Sequence, residues 1–354
     1  MKRELNPIRA ARPADLRSDH MRRLIAAAKR RVAAPAPRFE VVELITLSHG
    51  DLEASFAPHV GMAGVSLRHR GAELLDRRGG LAAYARTGAV MGIPLLHPWA
   101  NRLDAFEYEL DGRRVRLPAG PPLVRCEEHG LPIHGLLGAS PHWTVTAAAR
   151  ASLAARLDFG AHPELVAAFP FPHELTIEAR LDGDGLEVAT TVRPTGDAAV
   201  PLAFGFHPYL RLPGADRASW HVTLPGRRHL DTDDRGIPTG AAHAEPARSF
   251  RLAGLGFDDG YDRLADGARF AVRGRERELA VTLVRGYPAG QVFSPRGAQF
   301  ICFEPMTAPT NALRTGDGLR HVAPGETFTA TFRIDVRWAS RARGGSRIRA
   351  VTPS

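Results

Sequence analysis

The chain has few of the features that mark several common protein classes. It has 354 residues but only two cysteines, Cys126 and Cys302, so a disulfide framework is not expected. No apolar run reaches the roughly 18 residues that suggest a membrane-spanning helix. The apolar LIAAA stretch (24–28) is too short for the core of a secretion signal. These absences favour a cytoplasmic setting without a membrane partner.

Positive charge is concentrated at the two ends of the chain. The formal net charge is +9, yet residues 1–38 carry a net charge of +8 and residues 337–354 a net charge of +5. The body between them is therefore mildly acidic, at about −4. A nucleic-acid-binding module carries its positive surface on the folded domain itself. Nucleic acid is therefore not an expected partner.

This asymmetry divides the chain into three predicted regions. They are a flexible basic extension, a folded domain and a basic tail, over residues 1–38, 39–338 and 339–354. The extension contains one predicted helix from Asp15 to about Ala33 and closes on an Ala-Pro linker. Met21 is an alternative start. We expect a monomer or a homodimer.

The body of the chain shows the period-two alternation of β-strands. LTIEARLD (175–182) and FTATFRIDVRW (328–338) place apolar side chains at every second position. YELDGRRVRL (108–117) has an Asp-Gly turn pair between two strand-like runs. No amphipathic helix is evident after residue 39. Many short strands joined by turns predict an all-β, mostly antiparallel sandwich.

Several apparent motifs lack the residues that their chemistry needs. HELTI (173–177) has no second histidine four positions on, so it is not a zinc-protease helix. GDGLEV (183–188) lacks the third glycine of a dinucleotide fingerprint. Cys126, His129 and His134 have neither a second cysteine pair nor a carboxylate at ligand spacing. We therefore predict no metal and no cofactor.

Four stretches place a polar side chain among apolar, proline or glycine residues. They are GIPLLHPWANRL with Arg102, LPIHGLLG with His134, PLAFGFHPYLRLPG with His207, and FICFEPMTAPTNA with Glu304. Glu304 is predicted at the end of a strand, where burying an unpaired carboxylate costs several kcal/mol. A carboxylate, two imidazoles and a guanidinium are typical of acid/base chemistry on a polyhydroxyl substrate.

Together with ASFAPHVGMAGVSLRHRGAELL (54–75), FPFPHELTI (169–177) and FDDGYDRL (257–264), these stretches make the body resemble the aldose 1-epimerases, or galactose mutarotases. The resemblance implies a galactose mutarotase-like β-supersandwich. It also implies an isomerase of carbohydrate metabolism that interconverts the α- and β-anomers of a free aldose without metal or cofactor.

The resemblance also implies roles for individual residues. Glu304 matches the general base and His207 the general acid, while Arg102 and His134 match residues that hold the sugar. The sugar-binding aspartate of the family lies three residues before an aromatic, which selects Asp258 before Tyr261. Asp259 and Asp262 remain open as alternatives at this position. His97 stands where relatives are expected to have an apolar residue, and we expect it to alter the rim of the site.

Three other functions remain open. A non-catalytic carbohydrate-binding protein would share the fold without the chemistry. A hexose-6-phosphate or modified-sugar 1-epimerase would need a basic pocket, for which Arg125, Arg211 and Arg296 are candidates. A glycoside hydrolase would need two carboxylates flanking the bond, and Asp258 could be the second.

Overall fold

The computed structural model describes residues 42–118, 120 and 123–338. The predicted helix from Asp15 to Ala33 and the tail over 339–354 lie outside the described residues. The boundaries of the three regions therefore stay predictions. None of the helices in the described part of the chain has the length and apolar character that crossing a bilayer requires.

Strands dominate the described residues. They are β1 (Ile45–His49), β2 (Leu52–Ala57), β3 (Ala63–His69), β4 (Ala72–Glu73), β5 (Leu95–Leu96), β6 (Glu107–Leu110), β7 (Arg113–Arg116), β8 (Thr144–Ala149), β9 (Ser152–Asp158), β10 (His173–Asp182), β11 (Gly185–Pro194), β12 (Val200–Leu202), β13 (Gly205–Phe206), β14 (Tyr209–Leu210), β15 (His221–Leu224), β16 (Arg227–Thr232), β17 (Pro238–Glu245), β18 (Arg248–Arg251), β19 (Phe257–Asp262), β20 (Ala268–Arg273), β21 (Arg277–Arg285), β22 (Ala289–Ser294), β23 (Ile301–Met306), β24 (Arg320–Val322) and β25 (Phe328–Trp338). The α-helices in the same residues are short: α1 (Leu81–Thr87), α2 (Pro163–Ala168) and α3 (Ala312–Thr315).

Two large sheets form the body of the fold. The nine-stranded sheet has the order β18-β15-β20-β21-β25-β11-β10-β9-β8. The eight-stranded sheet has the order β17-β16-β19-β22-β23-β13-β5, and β14 also pairs with β23. A four-stranded sheet (β1 to β4) and the pairs β12-β24 and β6-β7 complete the set. The named strands pair antiparallel, which confirms the all-β, mostly antiparallel prediction.

The alternation in the sequence specifies which face of a strand is buried. In β10 the residues Leu175, Ile177, Ala179 and Leu181 are buried, and β10 pairs with β11 across a Gly183-Asp184 turn. The Asp111-Gly112 pair joins β6 to β7, and both residues have positive φ, as a tight hairpin turn requires.

Aromatic side chains join the two large sheets. Phe332 on β25 packs on Phe206 of β13 with ring centroids 4.9 Å apart, and Phe270 on β20 packs on Phe303 of β23 at 5.7 Å. Full burial of one such side chain contributes about 1.5–3 kcal/mol. The face-to-face packing of the sheets holds β13 and β23, the strands nearest the site, against the core.

His97 is a core residue, so the prediction that it alters the site rim is wrong. It is 1% exposed, and its Nε2 lies 2.8 Å from Nε2 of His173. The rings of Phe159 and Phe169 contact it edge-on. One neutral imidazole can donate to another, which satisfies the two Nε2 atoms, and Nδ1 of His173 contacts the carbonyl of Phe171 at 2.6 Å. Nδ1 of His97 has no hydrogen-bond partner among the described residues. Burial lowers the pKa of His97 well below 6.5 and that of His173 to about 4.

Candidate active site

One cavity of about 330 Å³ contains all five side chains that the sequence singles out for the site. They are Arg102, His134, His207, Asp258 and Glu304. Asp258 and Glu304 come from the eight-stranded sheet, His207 from the link between β13 and β14, and the other two from loops. Residues far apart in the chain therefore converge on one volume of the size of a small ligand.

Strand register places His207 against Glu304. Gly205 on β13 lies opposite Met306 on β23, and Tyr209 on β14 lies opposite Cys302. His207 falls midway between these two pairs, so it faces Glu304 across the ladder. The resulting separation between Nε2 of His207 and Oε1 of Glu304 is 3.1 Å.

Glu304 lies inside a strand, so its predicted place at a strand end is wrong. β23 continues through Pro305, which pairs with Gly290 of β22, to Met306. Proline lacks only the N–H donor, and a strand can pass through it where that donor is not needed. Pairing with neighbouring strands fixes the backbone of Glu304 on both sides.

Burial destabilises the charged forms of both members of this pair. Burial raises the pKa of Glu304 well above 4.5; the neighbouring Asp258 adds to the rise and Arg102 opposes it. Burial lowers the pKa of His207 to about 3, and Arg125 and Arg78 act in the same direction. Both shifts favour the neutral pair, with the proton on Glu304, and moving that proton to His207 would leave the net charge of the pair unchanged.

A polar network surrounds Asp258. Its Oδ1 accepts a hydrogen bond from Gln291 Nε2 at 2.7 Å, and its Oδ2 lies 3.3 Å from Nη2 of Arg102. Of the three aspartates that the sequence leaves open, Asp258 is the one that lines the cavity. Asp259 contacts His229 instead, and Asp262 accepts a hydrogen bond from Arg228 at 2.6 Å.

Two strained loops bring His134 and Arg102 together. The backbone N–H of His134 donates to the carbonyl of Asn101 at 2.9 Å, and both residues have positive φ. Gly135 follows with φ +74°, and a Cβ on it would lie 2.1 Å from the carbonyl oxygen of His97. Such backbone costs about 1–3 kcal/mol per strained residue and is typical of binding sites.

The sequence interpretation missed several residues of the cavity and its support. The cavity is also lined by Arg78, Asn101, Tyr209 and Phe293. Gln291 donates a hydrogen bond to Asp258. Asn101 lies in the motif that was noted for Arg102, and Tyr209 lies in the motif that was noted for His207. Gln291 had a weaker signal, an amide side chain in the middle of AGQVFS (289–294), a strand without charged residues.

A buried thiol lies beside the imidazole–carboxyl contact at the centre of the cavity. Ligand-type atoms of His207, Cys302 and Glu304 lie within 4.8 Å of one another. Burial raises the pKa values of Cys302 and Glu304, which favours their protonated forms. His207 also stacks on Tyr209 at 4.4 Å, which holds its ring in place for contact with Glu304.

Comparison with known proteins identifies the family. A sequence model described as aldose 1-epimerase matches residues 43–335, and the chain belongs to that family. A curated relative, the uncharacterized protein YihR of Escherichia coli (strain K12), is 24% identical over 305 residues, which cover 82% of this chain and 92% of that protein.

Solved structures show the same fold. The Slr1438 protein from Synechocystis sp. PCC 6803 aligns with TM-score 0.69 and 22% identity, covering 86% of this chain and 99% of the other. A galactose mutarotase-like protein from Clostridium acetobutylicum aligns with TM-score 0.73 and 19% identity, covering 84% of this chain and 95% of the other. The galactose mutarotase-like fold implied by the resemblance is therefore confirmed.

Proposed function

We propose that the protein is an aldose 1-epimerase that interconverts the α- and β-anomers of a free aldose of the glucose or galactose type. The 3.1 Å contact between a buried imidazole and a buried carboxyl in the cavity carries this proposal. The anomeric oxygen and the ring oxygen of a pyranose are bonded to the same carbon. An acid and a base that lie this close can therefore contact both oxygens at once.

Ring opening uses the two groups in opposite senses. Glu304 removes the proton of the anomeric hydroxyl while His207 delivers one to the ring oxygen, and the bond between C1 and the ring oxygen breaks. The aldehyde end then rotates about C1–C2. Closure on the other face returns both protons, so none is consumed. Each positioned group is typically worth about 10²- to 10⁴-fold in rate.

The pKa shifts fit this cycle because the pair needs one shared proton. Burial favours protonated Glu304 and neutral His207. This is the state that ring opening leaves behind and from which ring closure starts. Before opening, the proton must lie on His207, and hydrogen bonds from sugar hydroxyls to Glu304 favour that state.

The remaining side chains suit a polyhydroxyl ligand. Arg102, Asp258 and His134 surround the pair with donors and acceptors. Nδ1 atoms of both His134 and His207 are buried and lack a hydrogen-bond partner within the described part of the chain. We propose that Arg102, His134 and Asp258 hold the sugar while the acid and base act. A monomer or homodimer in the cytoplasm is part of the same proposal.

A second candidate function is 1-epimerisation of a sugar with an anionic substituent. Arg78 and Arg125 both line the cavity, so two cationic side chains are available at its wall. Neither Arg211 nor Arg296 is among the residues that line it. Phosphate on the terminal hydroxyl is one such substituent, and Arg78 and Arg125 would recognise it by charge-assisted hydrogen bonds.

Polarimetry on freshly dissolved α-D-glucose and α-D-galactose tests the proposal. The wild-type protein should speed the decay to equilibrium rotation, and His207→Ala should lose about 10²- to 10⁴-fold of that rate. His59→Ala, an exposed histidine outside the cavity, is the matched control. No acceleration on neutral sugars but activity on hexose 6-phosphates would favour the second candidate. Sugar binding without any anomerisation would support a carbohydrate-binding protein, and cleavage of an oligosaccharide would support hydrolysis.

A further inference from the structure

A second group of titratable side chains lies on the face of the eight-stranded sheet opposite the cavity. Successive residues of a strand point to opposite faces, so Asp258 on β19 lines the cavity while Asp259 faces away from it. On that opposite face, at the β16–β17 end of the sheet, His229, His243 and Glu245 have ligand-type atoms within 4.8 Å of one another. We infer that these three residues bind a divalent transition-metal ion, with zinc as the best fit.

Paired strands fix the three side chains in place. His229 on β16 lies directly opposite His243 on β17, and Glu245 follows two residues later on the same face of β17. Oε1 of Glu245 lies 3.1 Å from Nδ1 of His229 and 3.5 Å from Nε2 of His243. Two imidazoles and one carboxylate are a recurrent zinc ligand set, with bonds of about 2.0–2.2 Å. Small side-chain shifts would bring all three atoms to one ion.

Each ligand has a partner that orients its other polar atom. Nδ1 of His243 lies 3.1 Å from Oδ1 of Asp231, and Nε2 of His229 lies 3.5 Å from Oδ1 of Asp259. The second oxygen of Glu245 accepts a hydrogen bond from the buried Arg227. Metal-bound histidines almost always donate the remaining ring N–H to a carboxylate, a carbonyl or water. The cluster therefore has the supporting contacts of a metal site as well as its ligands.

Charge also favours a cation at this position. Three carboxylates, those of Asp231, Glu245 and Asp259, face two guanidinium groups. The guanidinium groups belong to Arg227 and Arg248. With neutral imidazoles the cluster is thus net negative. Imidazole ligands favour zinc and its first-row neighbours over calcium and magnesium, which prefer oxygen ligands alone.

The ion would join strands rather than act on the sugar. β17 is the edge strand of its sheet, and its pairing with β16 is interrupted between Leu230 and Thr232. A metal bound by His229, His243 and Glu245 would connect the two strands just beyond this irregularity. The inference is compatible with metal-free epimerase chemistry because the cluster and the cavity lie on opposite faces.

A second histidine group provides an internal comparison. His142, His162 and Glu164 also have ligand-type atoms within 4.8 Å of one another. Their two imidazole rings stack with centroids 3.7 Å apart. Oε1 of Glu164 lies 3.5 Å from Nε2 of His142 and 3.9 Å from Nδ1 of His162. Stacked parallel rings point their nitrogen lone pairs in similar directions, which suits a tetrahedral ion poorly. This group should bind zinc more weakly.

Calorimetric titration of zinc into tag-free, chelator-treated protein tests the inference, with cobalt absorption as a report on ligand geometry. We expect one tight equivalent that is lost in His243→Ala and in Glu245→Gln. Asp231→Asn should weaken binding about 10- to 100-fold, the usual effect of an outer partner. His162→Ala and the exposed His59→Ala should retain it.

Two results would overturn the inference. One is the absence of a tight zinc equivalent in the wild type, and the other is a tight equivalent that survives His243→Ala and Glu245→Gln or disappears in His162→Ala. Circular dichroism checks folding, and His243 is half exposed, so its truncation leaves the core intact. The titration uses no sugar, so its outcome is independent of the proposed epimerase activity.

Discussion

Replacing Glu304 with glutamine should abolish most catalysis and yet stabilise the fold at neutral and alkaline pH. The amide keeps the size of the side chain but can neither accept the anomeric proton nor ionise. Loss of a positioned base predicts a fall in the rate of mutarotation of about 10²- to 10⁴-fold. The gain in stability follows from the burial of the carboxyl, whose side chain is only 2% exposed.

The magnitude comes from the linkage between the pKa of Glu304 and folding. Its pKa is raised in the folded state, so the folded protein holds this proton more tightly than the unfolded chain does. The contribution of this proton to folding stability is fully present below about pH 4.5, the pKa of the carboxyl in the unfolded chain. It is lost as the pH rises toward the higher pKa of the folded state. The loss is at most about 1.4 kcal/mol per pH unit. Glu304→Gln removes this dependence.

Urea unfolding of wild type and variant over a series of pH values measures the difference, and polarimetry measures the rate. Glu53→Gln, at an exposed position on β2, is the matched control and should change neither quantity. Parallel pH profiles for wild type and Glu304→Gln would refute the burial argument. Undiminished mutarotation in a folded Glu304→Gln would refute the assignment of the base.

Three further substitutions test other parts of the structure. Arg102→Leu should raise the KM for the sugar about 10- to 100-fold and change kcat less, because a hydrogen bond from a charged group is worth about 1.5–3 kcal/mol. Initial-rate polarimetry separates KM from kcat, and a fall in kcat alone would contradict a binding role for Arg102. Gly135→Ala should destabilise the fold by at least about 1–3 kcal/mol, because φ of Gly135 is +74° and the carbonyl of His97 blocks the new methyl group. An unchanged melting temperature would disprove the predicted loss of stability. Phe332→Ala should lower the free energy of unfolding in urea by about 3–5 kcal/mol, because the ring is fully buried against Phe206. A decrease of less than about 1 kcal/mol would show instead that the core collapses around the cavity left by the ring.

Local pattern in the sequence predicted the strands but not how they assemble. The alternation in β10 and β25 specifies their buried faces, and the Asp111-Gly112 turn specifies a hairpin. By contrast, β25 pairs with both β11 and β21, and no local signal selects these distant partners. Such pairings depend on the total burial of both sheets, which a single segment does not encode.

The residues of the site could be singled out because their motifs are unusual, whereas their geometry could not. His207 faces Glu304 only through the register of β13 and β14 on β23. His97 was misplaced because a histidine among apolar residues has the same local pattern in a core as at a rim. Its partner His173 is 76 positions away, so no local pattern could predict the imidazole pair.

Consecutive residues of β19 point to opposite faces of its sheet, which limits the sequence changes that this strand can accept. Asp258 reaches the cavity and Asp259 reaches His229 on the opposite face because the strand is held in one register between β16 and β22. Inserting or deleting one residue before Asp258 would exchange the directions of the two carboxylates. A single such event would disturb both faces at once, so β19 should tolerate substitutions but not changes in length.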